Sequence, residues 1–538
     1  MFKKSYSTLM VLAGLVLLVY FNSLNGAFVS DDKLTLPFIL ANGLGKSLIS
    51  RPYSVFQTVI MYFSYKIGGG SPIPFHLINI ISHIAVVWMV FFVIDEIGRL
   101  NNRPYTNIAF FTATLFAVHP ILTESVTWIS GGPYVRYALF VLLTFLFYVK
   151  SKNKKWYWLS FVTFVTALLF SEDALVLPLI LAVYELSFGS IKKNWKKLVP
   201  YFAISALWSL LYITQIGTRM AAVSGQSYQP SSTLNPLVQI PVAITSYLQL
   251  IFWPDKLTLY HSDLSLGLVD YWIRVIATFG VIGIIIWGWK KNKYIFFWLS
   301  FFIISLLPML TPLGISWIVA ERYVYLGSIG IIGLIGYMLN GLTKNKKTET
   351  VGYLIFVMVI LGLMIRTFVR NIDWQTEDNL WIATGNTSPS YWVTHNNLGD
   401  VYGRHGDLKR SAEEFELAIK LNRRYADAYH NLGNTLRQMG DTANALKNFQ
   451  LALKYNPGLW QSDENIAAIY FSQGNFSSAA DFMQRAIKIS PNDTNLYAGL
   501  GEIYLKANDK NKAKQAFLKA LSIDSGNANA KAGLAAAE

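Results

Sequence analysis

"STLMVLAGLVLLVYFNSL", residues 7–24, is an uncharged run, and it is followed at once by "NGAFVSDDKL", residues 25–34, where two carboxylates, Asp31 and Asp32, stand side by side. An apolar run of this length crosses a bilayer as a helix, because in hydrocarbon every backbone N–H and C=O must be satisfied within its own segment. The run carries no small-residue cleavage site and reads as a retained helix rather than a signal peptide. The paired acids then lie at a membrane surface. The whole chain agrees with this reading: 538 residues, 53% hydrophobic and 14% charged, with mean hydropathy +0.36, is the composition of a polytopic membrane protein.

Charge divides the chain. Residues 371–538 hold 17 Lys/Arg and 18 Asp/Glu, so the remaining 29 Lys/Arg and 13 Asp/Glu of residues 1–370 carry the whole of the net +15 and slightly more. Many of those cations fall in short clusters: Lys3/Lys4, Arg99/Arg103, residues 150–155, residues 192–197, residues 290–293 and residues 344–347. Each cluster ends an apolar span. The positive-inside rule accounts for them as markers of the cytoplasmic side, and no nucleic-acid partner is expected. Absence of cysteine excludes disulfides, thiolate metal sites and cysteine nucleophiles.

Apolar spans fit near residues 7–24, 75–95, 106–119, 134–149, 156–170, 174–188, 198–216, 270–289, 294–311, 323–340 and 351–369. Residues 236–253 are also long enough to span, but counting them would put the cations at 290–293 outside, so they read as re-entrant or interfacial. The expectation is about eleven crossings, an N-terminus in the cytoplasm and a C-terminal domain outside the membrane. In this topology Asp31, Asp32, Glu124, Glu172, Asp173, Asp255, Asp263, Asp270 and Glu321 come out external, against Asp95, Glu96, Glu185 and Glu349 inside. Carboxylates at membrane depth are costly and tend to face a cavity, which points to an external site. The loop 25–74 is apolar enough to lie structured in the interface.

Beyond residue 370 the pattern becomes a strict 34-residue period. Leu398, Leu432, Ile466 and Leu500 recur at that spacing, followed by Gly399, Gly433, Ala467 and Gly501 and then by Ala418, Ala452, Ala486 and Ala520. Small residues at these points let two antiparallel helices approach closely, which is the tetratricopeptide repeat. The expected fold is therefore all-α: a polytopic helix bundle over 1–370, a linker and half-repeat over 371–391, and four repeats with a capping helix over 392–538. Preceding the Leu-Gly step stand Asn397, Asn431 and Asn465, again 34 apart, with Gly499 breaking the series. Asparagine offers both donors and an acceptor, so such a ladder can hydrogen-bond an extended acceptor polypeptide; satisfaction of local backbone is the competing use.

In the second span His76, Asn79 and His83 share one helical face and read as interhelical hydrogen-bonding groups. The proline after His119 should break the third span and turn the chain, bringing His119, Glu124 and Arg136 towards the surface that carries the aspartates. "SEDALVLP" adds Glu172, and "ISWIVAERYVYLGSIG" adds Glu321 and Arg322. Paired acids with nearby cations suit a displacement in which a carboxylate takes a proton and a cation stabilises a departing anion.

"FVSDD", "RPYSVFQTVIMYFSYKIGGGSPIPFHLINIISH", "LFAVHPILTESVTWISGG", "ERYVYLGSIG" and "WQTEDNLW" leading into repeats resemble, in that order, the transmembrane and tetratricopeptide-repeat O-mannosyltransferase family of the C-type glycosyltransferase superfamily. The resemblance covers nearly the whole chain. It implies a sugar donor carried on polyprenyl phosphate and an essential acid in the first external loop, the position that Asp31 and Asp32 occupy. Three positions depart from the pattern: Gly132 where relatives carry arginine, Ser171-Glu172 for Lys-Glu, and Gly327 for proline. The expected activity is transfer of a hexose such as mannose from polyprenyl phosphate to a protein Ser/Thr hydroxyl, with inversion. Asp31 and Asp32 are the expected catalytic acids, and His119, Glu124, Arg136, Glu172, Glu321 and Arg322 the expected donor-binding groups. No cofactor or metal is expected. The alternatives are a ligase that transfers a lipid-linked oligosaccharide, with which a divalent cation is compatible, and a non-catalytic membrane-anchored scaffold.

Overall fold

The computed structural model describes residues 2–51, 54–223, 235–262, 267–310 and 317–538. Asp263 therefore lies outside the described residues. Among those described, every regular element is helical, and the chain resolves into two compact units, Met1–Thr387 and Ser388–Glu538. The division falls beyond residue 370 because the helix after the last apolar segment packs with the first unit.

The first unit begins with α1 (Phe2–Tyr20), α2 (Asp32–Ser50), α3 (Val55–Gly68), α4 (Ile73–Leu100), α5 (Thr106–Val118), α6 (Thr123–Thr127), α7 (Gly132–Val149) and α8 (Lys154–Leu168). It continues with α9 (Leu177–Ser187), α10 (Ile191–Val223), α11 (Pro236–Phe252), α12 (Leu268–Lys291), α13 (Lys293–Leu306), α14 (Ser328–Lys344), α15 (Glu349–Asp373) and α16 (Glu377–Thr387). Six helical segments are long and apolar enough to cross a membrane, and a seventh counts if the bent pair Thr106–Val118 and Pro120–Thr127 is one span. That falls short of the eleven expected. Several of the apolar windows form short helices, such as the 15-residue α8 and the 11-residue α9. At 1.5 Å per residue these cover only about 16–23 Å, less than the hydrocarbon core, and an apolar window of that size arises equally in a helix buried among its neighbours. The 17-residue α11 is in the same class.

Helices whose apolar side chains stay exposed identify the lipid-facing flank. In α12 only 6% of the most apolar window is buried, and in α15 only 17%. Surfaces of that kind are stable in hydrocarbon and not in water, which marks a membrane protein. The loop after α1 is structured as expected: α2 and α3 close over Leu36, Ile39, Met61, Phe75 and Ile129, while Leu34, Ile49 and Ile67 remain exposed.

In the second unit four antiparallel pairs stack: α17 (Trp392–Arg404) with α18 (Leu408–Leu421), α19 (Ala426–Gln438) with α20 (Thr442–Tyr455), α21 (Trp460–Ser472) with α22 (Phe476–Ile489), and α23 (Thr494–Lys506) with α24 (Lys510–Ile523). The final helix, α25 (Ala528–Ala537), packs on the last pair. Each pair turns at a left-handed residue, Gly406, Gly440, Gly474 or Asn508. The next residue, Asp407, Asp441, Asn475 or Asp509, then caps the second helix by accepting a backbone N–H three residues on.

Candidate active site

The acidic loop is fixed by a backbone that few residues adopt. Ser30 takes φ +53°, turning the chain out of the extended run after Gly26 and into α2. Asp32 is buried, 1% exposed, and its carboxylate is fully engaged: Oδ2 accepts the Val29 N–H at 3.2 Å, and Oδ1 accepts both the N–H and the hydroxyl of Ser130. Burial pushes its pKa up to about 7, against the opposing pull of those hydrogen bonds. Asp31 differs. It is exposed, and no hydrogen bond to its carboxylate occurs among the described residues. The mass of protein beside it raises its pKa, Arg322 opposes that rise and Glu377 adds to it.

Three further residues hold this loop. Glu377 of α16 accepts the Ser30 N–H at 3.0 Å, pairs with Lys33 at 2.9 Å, and is itself oriented by the Trp381 indole N–H at 2.6 Å. The Gln375 carbonyl accepts the Ala27 N–H at 2.8 Å. From the other side, the Trp128 indole donates to the Val29 carbonyl at 3.3 Å.

Trp128 and Ser130 are available because the third apolar segment breaks where the sequence predicts. Pro120 forces His119 into extended conformation (ψ 125°), and the chain bends by 56° into α6. The turn 129–131 then lies against α6 so closely that a Cβ on Gly131 would stand 2.4 Å from the Glu124 carbonyl oxygen. Only glycine fits there.

Beside Trp128 stands a buried charge network. Glu124, 0% exposed, accepts the backbone N–H of Arg322 at 2.7 Å and pairs with its guanidinium. Burial would lower the pKa of Arg322, but the Glu124 carboxylate more than offsets this and holds the side chain charged. The guanidinium stacks over Tyr323 (4.8 Å) and Trp128 (5.6 Å) and keeps part of its surface open. Glu321, also 0% exposed, accepts the Thr258 N–H and pairs with Arg370 of α15 at 3.1 Å, while Arg370 also binds Asp373 at 2.9 Å. Both acids of this network thus have their own arginine, which meets the cost of burying their charge.

The structure brings Asp31, Asp32, Glu124, Glu321 and Arg322 into one connected constellation through Trp128, Ser130 and the 321–323 turn. Arg136 is turned into the bundle, 4% exposed, donating to Asn79 at 2.8 Å and to Gln57 at 2.5 Å. A Cβ on Gly132 would meet both the Arg136 guanidinium and the Asn79 amide at 2.2 Å, so the departure at Gly132 is what makes room for Arg136. His119 has both ring nitrogens occupied, Nε2 donating to Ile251 O at 2.9 Å and Nδ1 accepting the Ile121 N–H at 3.2 Å. Glu172 accepts the Tyr212 hydroxyl at 2.8 Å and lies, with Asp173, within electrostatic reach of Tyr134, whose ring meets Tyr323 at 5.9 Å. His76, Asn79 and His83 bond to Gly26, Trp128 and Tyr325 respectively, linking separate segments.

Sequence reasoning missed Ser130, Trp128, Arg370 and Glu377. Arg370 had a usable signal: with Arg366 it is one of two cations in the C-terminal part of a 25-residue apolar helix, where ionisable residues mark function. Glu377 sits in "WQTEDNLW", a stretch read as part of the repeats. In the second unit, Asn397 and Asn465 each donate back to their own helix, to Val393 O at 2.8 Å and Gln461 O at 3.0 Å, whereas Asn431 donates to Asn396 of the preceding repeat at 3.0 Å.

Comparison with known proteins adds to this geometry. Tetratricopeptide repeat models match residues 394–425, 426–459 and 470–537. A Caenorhabditis elegans protein named as a protein O-mannosyl-transferase is 26% identical over 451 residues, covering 78% of this chain and 63% of that protein. The human Protein O-mannosyl-transferase TMTC3 is 25% identical over 470 residues, covering 75% of this chain and 50% of its own length. This chain therefore spans between half and two thirds of the length of these relatives. Among solved structures, the MamA protein is 21% identical over 29% of this chain and 84% of its own, with a TM-score of 0.26. The match to proteins named as protein O-mannosyl-transferases runs through most of the chain, and the tetratricopeptide-repeat matches fill its C-terminal part, so the chain is similar to a membrane and tetratricopeptide-repeat O-mannosyltransferase-like family.

Proposed function

We propose that this protein is an integral membrane glycosyltransferase that moves a hexose, mannose by family likeness, from a polyprenyl-phosphate donor to a Ser/Thr hydroxyl of a polypeptide on the extracytoplasmic side. The observation that carries this reading is the contrast between the two aspartates: Asp32 has both oxygens committed to the protein, whereas Asp31 presents an exposed carboxylate within electrostatic reach of Arg322. Asp31 is the base. It takes the hydroxyl proton as the acceptor oxygen forms its bond to the anomeric carbon. The bond from that carbon to the phosphate oxygen breaks, and polyprenyl phosphate leaves with the electron pair, its charge met by the partly open Arg322 guanidinium.

Asp32, Ser130 and Glu377 position Asp31; Glu124 orients Arg322, and Arg370 with Glu321 braces the turn that carries it. His119 and Arg136 support the same scaffold from within the bundle, and Glu172 borders it near Tyr134. The apolar faces of α2 and α3 keep the loop at the interface, where a donor lipid remains in the bilayer while its sugar emerges. The repeats, with Asn397, Asn431 and Asn465, receive the acceptor chain. A single displacement inverts the anomeric centre. The test is to supply the purified chain with β-linked mannosyl phosphoryl polyprenol and a Ser/Thr peptide, and to read the product linkage by NMR. An α-mannosyl peptide supports the reading; a β-mannosyl peptide, or no transfer of the mannosyl group, removes it.

A further inference from the structure

The ends of α5 and α14 remote from the candidate active site, with the residues 103–105 that lead into α5, border a half-open cavity of about 410 Å³. Both helices reach the active-site region at their other ends, since α5 leads into His119 and α14 follows the 321–324 turn. With 13 and 17 residues at 1.5 Å each, the cavity lies about 20–25 Å away along them. The two helices touch closely above it, because a Cβ on Gly336 would stand 2.3 Å from the Thr112 hydroxyl. Below that contact they diverge, and Gly341, with nothing within 4 Å of its Cβ position, leaves the space open.

The lining has one sign of charge. Arg103 and Lys344 stand at its mouth, both exposed, and no carboxylate lines it. Arg103 lies within electrostatic reach of the Tyr105 hydroxyl, and Tyr337 completes the wall with its ring stacked on Tyr294 at 4.8 Å. Asn340 also lines it, only 5% exposed, and its Oδ1 has no hydrogen-bond partner among the described residues. A buried amide without a partner costs stability unless something outside the fold satisfies it, and a half-turn of the amide offers its NH2 to an anion. The outer wall is apolar and open: Met338 is 61% and Leu342 38% exposed, and on the adjoining α15 Val351 and Leu354 are 54% and 57% exposed. Cations and tyrosines at the rim with exposed aliphatic side chains beside them suit a molecule with a charged head and hydrocarbon tails.

We propose that this cavity holds the phosphate-bearing headgroup of an anionic membrane phospholipid, with Arg103 and Lys344 meeting its charge, Asn340 donating to it and the flank of α14 and α15 receiving its chains. The site stands apart from the catalytic proposal and does not depend on it. A lipid so placed fills the gap between two helices whose other ends connect to the segments that carry Glu124 and Arg322.

Native mass spectrometry of the full chain tests this, with phosphatidylglycerol or phosphatidylcholine titrated into the detergent-purified protein. One phosphatidylglycerol should be retained in preference to phosphatidylcholine. The double variant Arg103→Gln/Lys344→Gln, at exposed positions that leave the fold intact, should weaken phosphatidylglycerol about tenfold or more and leave phosphatidylcholine unchanged. The control Lys346→Gln/Lys347→Gln, outside the lining, should weaken it far less. Equal retention of both lipids, or equal weakening by both double variants, overturns the site in favour of diffuse attraction. Displacement of the lipid by equimolar glycerol 3-phosphate overturns the assignment to a lipid and leaves a soluble phosphate as the occupant.

Discussion

Glu377 shows how a single carboxylate can serve both geometry and electrostatics. It anchors the strained Ser30 backbone and Lys33, and its negative charge raises the pKa of Asp31 while Arg322 lowers it. If Asp31 is the base, activity rises with pH as Asp31 ionises. Neutralising Glu377 removes a nearby negative charge, lowers the pKa of Asp31 and moves that acidic limb to lower pH. Glu377→Gln should therefore shift the limb towards acid and reduce turnover between about ten- and a hundredfold, as expected for a misplaced catalytic group. Glu377→Asp keeps the charge but loses reach, so its limb stays in place while turnover still falls. A pH–rate profile of both variants decides the matter, and an unmoved limb in Glu377→Gln denies the electrostatic role. Asp31 and Asp32 were legible because adjacency to an apolar run is a local signal. Glu377 was not, because its partner Ser30 is 347 residues away and nothing local distinguishes it from a surface acid.

At the scale of elements, the repeats were read correctly because their determinants recur within 34 residues, and the structure shows what the small residues are for. A Cβ on Gly399, Gly433 or Gly501 would approach the rings of Phe415, Phe449 and Phe517 to 2.7, 2.7 and 2.5 Å. In the third repeat, where Ala467 replaces glycine, the facing residue is Met483, an adaptable side chain packed in the same cluster. Gly433→Ala should therefore destabilise its repeat by about 1–3 kcal/mol through overpacking, and Phe449→Met in the same chain should recover most of that loss. Hydrogen exchange of α19 and α20 in the full chain measures both. The membrane elements were less legible. A hydropathy window cannot tell an 11-residue buried helix such as α9 from part of a span, whereas the bend at Pro120 was readable because proline acts on the residue before it.

The whole molecule is a bundle with exposed apolar flanks followed by a repeat unit, and the proposed function requires the acidic loop and the repeats to share one side of the membrane. The basic clusters at span ends are the sequence feature from which that topology is proposed. Single cysteines at Lys152 and Lys447, introduced into a chain that has none, should label from opposite faces of sealed vesicles; labelling from one face removes the proposed placement of the site. The charge network around Arg322 could not be assembled from sequence, because Glu124, Glu321 and Arg370 meet only after three separate segments converge. The most direct test of the account is intact-mass measurement of an acceptor protein after incubation with the full chain and a polyprenyl-phosphate-linked hexose, comparing wild type with Asp31→Asn in matched membranes. The account predicts hexose-sized additions by wild type and, with the isosteric amide, a rate at least about a hundredfold lower at unchanged expression. Equal additions by Asp31→Asn would contradict it.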